Sequence, residues 1–181
     1  DTTDAEYTFG TGQVFNSTGF TIGDVGLGNE DTTTYASWNW KANGSGSSNS
    51  DGDITLTVSA NTTSGFSICS GDIGSGGDQT FGHGLGVAPD LVIMKGISQV
   101  ANWNLGHSSI GFTKYIRFTT AAAVTSADAF QDTAPSSSVV SVKTAWLGDD
   151  SDYVFYCFAS KQGFSKFGTY EGNGNANGTF V

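Results

Sequence analysis

The sequence predicts an all-β protein: a β-sandwich of jelly-roll or lectin-like type, built from repeats, with short turns and at most one short helix. Three observations lead there. Charged residues make up 13% of the 181, against roughly 25% in an average soluble domain, while 26 glycines and many Ser, Thr and Asn fill the polar positions. Apolar residues come in short runs at alternate positions, the signature of a strand with one buried face. Turn residues separate these runs at the spacing of a sandwich, and several segments recur along the chain.

The recurrence orders the chain. Phe20-Thr21-Ile22 and Leu27-Gly28, with the acidic turn Asn29-Glu30-Asp31, are echoed by Val140-Ser141-Val142, Leu147-Gly148 and Asp149-Asp150. Tyr35 to Trp40 falls on Tyr153 to Phe158 with aromatics at alternate positions, which favours core and interface roles for Tyr35, Trp38 and Trp40. Gly65-Phe66-Ser67 returns as Gly163-Phe164-Ser165. Units of this kind bury their apolar faces by stacking on neighbours. We therefore expect the second half of one unit over 1–42, a Gly/Ser/Asn-rich link plus an extra strand over 43–64, a complete unit over 65–162, and the start of another over 163–181. On this reading the chain is a piece of a longer array.

Within the complete unit the strands fall near Gly65 to Ser70, Gln79 to His83, Leu91 to Lys95, Trp103 to His107, Tyr115 to Phe118, Val139 to Val142 and Tyr153 to Phe158. Ile54 to Val58 alternates as the extra strand. Pro89 precedes Leu91-Val92-Ile93-Met94 and marks the turn that aims this strand into the core. The helical candidate is Ala121 to Phe130, limited to one or two turns by its Val, Thr and Ser. Cys69 and Cys157 lie inside apolar runs, where buried free thiols are expected.

Charge and chemistry narrow the function. A formal charge of -10 opposes any polyanion whose binding relies on phosphate neutralisation, so nucleic acid is an unsuitable partner. No run of about 18 apolar residues is present, so membrane insertion by a helix is not expected. Neither His83 nor His107 stands in a nucleophile context, and Glu30 and Glu171 sit in turn-rich sequence rather than as a glycosidase pair. No residue is singled out as catalytic. The ligand-facing candidates are Trp103, Asn102, Asn104 and His107, since sugar sites pair an aromatic face with nearby amides. Core packing is the competing reading for Trp103. His83, between glycines, reads first as a turn-satisfying imidazole and second as a ligand contact. Asn49-Ser50-Asp51-Gly52-Asp53 resembles part of a Ca²⁺ loop, with Asp51 and Asp53 as weak candidate ligands, but lacks the distal bidentate Glu and reads first as a plain β-turn.

One run is distinctive. Thr80-Phe81-Gly82-His83-Gly84-Leu85-Gly86-Val87-Ala88-Pro89-Asp90-Leu91-Val92-Ile93-Met94-Lys95 resembles a repeat domain of uncharacterised proteins in marine bacteriophages. Trp103 to His107 with Lys114-Tyr115-Ile116-Arg117, Thr133 to Val139, and Tyr153 to Phe158 with Gly163 to Gly168 extend the likeness over nearly the whole chain. The sequence departs from that pattern at Cys69 to Ile73, where an aromatic is usual. The resemblance implies a virion-associated protein, often neighboured by concanavalin-A-like or laminin-G-like domains. It implies a tail fibre, spike or capsid-decoration component at the virion surface or outside the cell, partnered by its own copies and other virion proteins. Contact with a cell-surface glycan fits that setting. The alternative is a carbohydrate-binding module of a secreted or cell-surface protein.

Overall fold

A computed structural model describes Ala5 and residues 13–23, 31–118, 125–126 and 129–179. The chain divides into two compact units, of which one takes in the described residues up to Trp40 other than Ala5 and the other takes in Ala5 and the residues from Lys41 onward. In the first, β1 (Gln13–Asn16) and β2 (Gly19–Ile22) form an antiparallel hairpin. Asn16 Oδ1 closes its turn by accepting from the Thr18 N–H at 3.1 Å, the local bond that suits Asn to this position.

The second unit holds an eight-stranded antiparallel sheet. Its strands are β3 (Ser47–Asn49), β4 (Leu56–Asn61), β5 (Phe66–Asp72), β7 (Leu91–Gly96), β8 (Asn104–His107), β9 (Lys114–Arg117), β10 (Thr125–Ser126) and β12 (Asp152–Phe158). They lie in the order β10-β9-β8-β7-β12-β5-β4-β3. A short second sheet pairs β6 (Asp78–Gly82) with β11 (Val139–Lys143). The predicted all-β sandwich is therefore present, with layers of very unequal width.

Alternation along each strand sets the core. On the central strand β12, Tyr153, Phe155 and Cys157 are buried while Val154 and Tyr156 are only half-buried. Cross-strand register carries one core row from Val58 through Cys69, Phe155 and Met94. Phe81 of the small sheet packs on Phe155 at 4.3 Å between ring centroids, and Val140 and Val142 complete its inner face. Gly106 leaves room for two rings: a Cβ there would meet Phe112 and Phe130 at 2.7 Å. The small sheet is tied at its edge by Asp53, whose Oδ2 accepts from the Thr80 N–H at 3.0 Å and the Thr80 hydroxyl at 2.7 Å. Cys69 and Cys157 are buried free thiols. The Cys69 hydrogen bond and then burial push the Cys157 thiol well up from its ordinary range.

The seven strands read in 65–162 all form, within a residue or two at their ends. The extra strand forms as β4, two residues late, and Ile54 instead makes a lone parallel bridge to Phe81. Three expectations are corrected. Of the helical candidate 121–130, residues 121–124 and 127–128 lie outside the described residues, Thr125–Ser126 is strand β10, and 129–130 turn. The α-helix is instead α1 (Thr144–Leu147), one turn held by its buried Thr144, which accepts from the Gly77 N–H and donates to Asp149 at 2.7 Å. Residues 31–40 form no strand, and Tyr35, Trp38 and Trp40 are 48, 76 and 57% exposed rather than in a core. Aromatic alternation makes a strand only where a neighbour completes the backbone ladder. Gly163–Ser165 lies in a tight turn closed by the Lys161–Ser165 bridge, whereas Gly65–Ser67 leads into β5.

Candidate functional site

The core row that begins at Val58 does not stay apolar. Beyond Met94 its next two cross-strand partners are Asn104 on β8 and Arg117 on β9. These side chains line a cavity of about 230 Å³ with Gln99, Trp146, Leu147 and Tyr153. The cavity wall is internally braced. Tyr153 Oη donates to the Leu147 carbonyl at 2.7 Å, and Gln99 Nε2 donates to the same carbonyl at 2.9 Å. Burial raises the Tyr153 phenol, with Gln99 opposing it weakly, so the phenol stays protonated. The Arg117 guanidinium lies 5.3 Å from the Tyr115 ring centroid and 5.9 Å from that of Trp146, and those two rings meet edge to face at 4.9 Å. Cation–π contacts of this kind hold a guanidinium in place without consuming its N–H donors.

Two polar atoms in this wall have no partner. Asn104 is 4% exposed, its Nδ2 donates to the Asn102 carbonyl at 3.2 Å, and its Oδ1 accepts nothing. Arg117 Nε is likewise shut off from water and unbonded. Each such group costs about 1–3 kcal/mol in a folded protein, and native structures leave few of them. Both residues line the same cavity, which makes it the candidate site. The lining offers amide groups, a phenol, a cation and an aromatic face, which are the means of binding a small polar ring.

A family described as a domain of unknown function, DUF7483, matches residues 1–181. The chain belongs to the DUF7483 family. No curated protein and no solved structure matches it.

In this DUF7483 domain the predicted ligand-facing set is split by the strand period. Asn104 faces the core side with Gly106, whereas Trp103 and His107 have the opposite parity along the chain. The Trp103 ring stacks on Tyr156 at 6.3 Å and 14°. His107 Nδ1 accepts from the Ser109 N–H at 3.0 Å and caps the short 3-10 turn Ser108–Ile110. Asn102 lines the cavity and gives Asn104 its carbonyl. His83 is fully buried; its Nδ1 accepts from the Leu85 N–H at 3.3 Å, so Nε2 carries the proton and donates to the Ser136 carbonyl at 3.3 Å. Burial lowers its pKa, outweighing the opposite pulls of Ser136 and Asp51. That is the structural role of an imidazole inside a turn. Asp51 accepts from Asn49 Nδ2 at 3.1 Å in an exposed turn, while Asp53 is occupied by Thr80. Among the described residues no group of three metal-ligating side chains gathers there or elsewhere. Arg117, Gln99, Trp146 and Tyr153 line the candidate cavity and are not singled out by sequence reasoning. The available signal is Arg117 standing two residues from Tyr115, which places both on one strand face.

Proposed function

We propose that this domain is a sandwich module of a surface structural protein that takes a sugar ring into the Asn104–Arg117 cavity. The observation that carries the reading is the pair of partnerless buried polar atoms, Asn104 Oδ1 and Arg117 Nε, in the wall of one small cavity beside Trp146. A sugar supplies hydroxyl donors and acceptors in a rigid ring, and Trp146 supplies a face for its C–H surface. At about 230 Å³ the cavity is smaller than the ~300–1,000 Å³ of drug-sized sites, which suits a single terminal residue rather than an extended chain. A glycan array tests it. Wild type should bind at least one glycan, Asn104→Leu should lose the signal, and Trp103→Ala should keep it because its ring stacks on Tyr156 instead. A blank wild-type array, or loss with Trp103→Ala alone, would defeat this reading.

A second reading, assembly into a virion surface array of tail-fibre, spike or capsid-decoration type, is favoured by the hairpin unit. Phe15, Trp38 and Trp40 there are 88, 76 and 57% exposed, and large exposed aromatics are enriched at contacts between subunits. The two readings are compatible. Light scattering of the purified chain should give a closed oligomer that Trp38→Ser with Phe15→Ser reduces to monomer; a wild-type monomer at all concentrations would remove this second reading.

A further inference from the structure

We infer that the Asn104–Arg117 cavity selects a sugar that carries a carboxylate, a uronate or sialate residue rather than a neutral one. The inference rests on the glycan reading above and names its ligand class. Arg117 is the one charged residue among those lining the cavity, and none of its neighbours balances it. No carboxylate lies within ion-pair distance of its guanidinium among the described residues; its contacts are the faces of Tyr115 and Trp146. Ring faces satisfy the plane of a guanidinium but leave its N–H edge for an anion. Nε, buried and unbonded, belongs to that edge.

Asn104 adds a second demand of opposite kind. As the direct register partner of Arg117, it stands about 4.5–5.5 Å away at Cβ, and its partnerless Oδ1 needs a donor. A ligand that satisfies both must present an anionic acceptor and a hydroxyl donor a few ångströms apart on a rigid frame. A sugar acid does so, with its carboxylate on the Arg117 fork and a ring hydroxyl on Asn104. A neutral sugar leaves the cation uncompensated, and a simple carboxylate leaves the amide unpaired. The domain's formal charge of -10 repels anions from its surface generally, so discrimination in favour of one falls to this single guanidinium.

Matched probes decide it. Titration calorimetry would compare oligogalacturonate with its methyl ester, sialyllactose with lactose, and acetate alone. At least one acid should bind at least tenfold more tightly than its uncharged counterpart, with acetate failing to compete at equal concentration. Arg117→Gln should abolish that preference. Lys114→Gln, which removes an exposed charge from the other face of β9, should not. Acid and counterpart binding within twofold, acetate competing as well as the sugar acid, or a preference that survives Arg117→Gln would each overturn the inference. Binding of neutral glycans only would overturn it while leaving the glycan reading intact; binding of nothing, with a blank array, would remove both. Should Arg117→Gln misfold, the ester comparison on wild type still decides.

Discussion

Asn104→Leu should make the protein more stable while abolishing the proposed binding. The wild-type Oδ1 is out of water and unbonded, a burden of about 1–3 kcal/mol. Leucine removes that burden and keeps an apolar side chain on a face that β8 already buries. It also forfeits the 3.2 Å bond from Nδ2 to the Asn102 carbonyl, a loss of about 1 kcal/mol. The extra volume enters the neighbouring cavity of about 230 Å³ rather than packed side chains, so overpacking does not cancel the gain. The net is a stabilisation on the order of 1 kcal/mol. With a urea m-value of about 2 kcal/mol/M, that moves the unfolding midpoint up by roughly 0.5 M, or the melting temperature by about 2–4 °C at this chain length. Urea unfolding followed by tryptophan fluorescence measures it, with an unchanged m-value required. A destabilisation of 1 kcal/mol or more would show that Asn104 is part of the supporting frame, and the argument from its partnerless oxygen would fall with it.

Three further outcomes test the fold around the site. Phe155→Ala should cost about 3–5 kcal/mol, since the ring is fully buried, and a double-mutant cycle with Phe81→Ala should show a coupling of about 0.5–1.5 kcal/mol for rings 4.3 Å apart; coupling near zero would mean the two sheets do not meet there. Gly106→Ala should cost about 1–3 kcal/mol by chemical denaturation, because its Cβ would press on Phe112 and Phe130 at 2.7 Å; a neutral effect would refute that packing. His83 has a folded-state pKa below its ordinary 6.5, so the unfolded chain binds more protons as pH falls. Its contribution is full above about pH 6.5 and is lost as pH drops through the folded pKa, with a slope of at most about 1.4 kcal/mol per pH unit. His83→Gln should flatten the wild-type stability profile below pH 6.5, and an unchanged slope would place the titration elsewhere.

The architecture is legible in the sequence because period-two alternation and turn chemistry are local. Tyr153 to Phe158 and Leu91 to Met94 announce strands whatever surrounds them, and the structure makes them neighbours at the centre of the large sheet. Where a strand needs a partner from outside its own residues, local reading fails. Trp38 and Trp40 stand at alternate positions as Tyr153 and Phe155 do, yet residues 31–40 remain outside any strand. The helix at Thr144–Leu147 escapes local reading for a similar reason: its first residue is fixed by Gly77, 67 positions earlier in the chain, which no window around Thr144 to Leu147 contains.

The site is half legible, and the missing half follows from the same period. Trp103, Asn104 and His107 are close in sequence, but in a strand adjacent side chains point to opposite faces. Applied to 103–107, that rule alone sets Trp103, Leu105 and His107 against Asn104 and Gly106. A glycine and an amide on what must be the core side are then the anomaly, since that face should be apolar. Applied to 114–117, it puts Arg117 beside Tyr115 in the same way. What the sequence lacks is the register that lays Asn104 opposite Arg117, because antiparallel pairing across the Ser108–Thr113 connection is settled by Phe112, Phe130 and Gly106 packing together. Two polar residues breaking the core face of adjacent strands are each a weak signal. Brought into register they place an unbonded acceptor and a cation on two residues that line a common cavity, and that conjunction, rather than the face of Trp103, is what gives the proposal a chemistry to test.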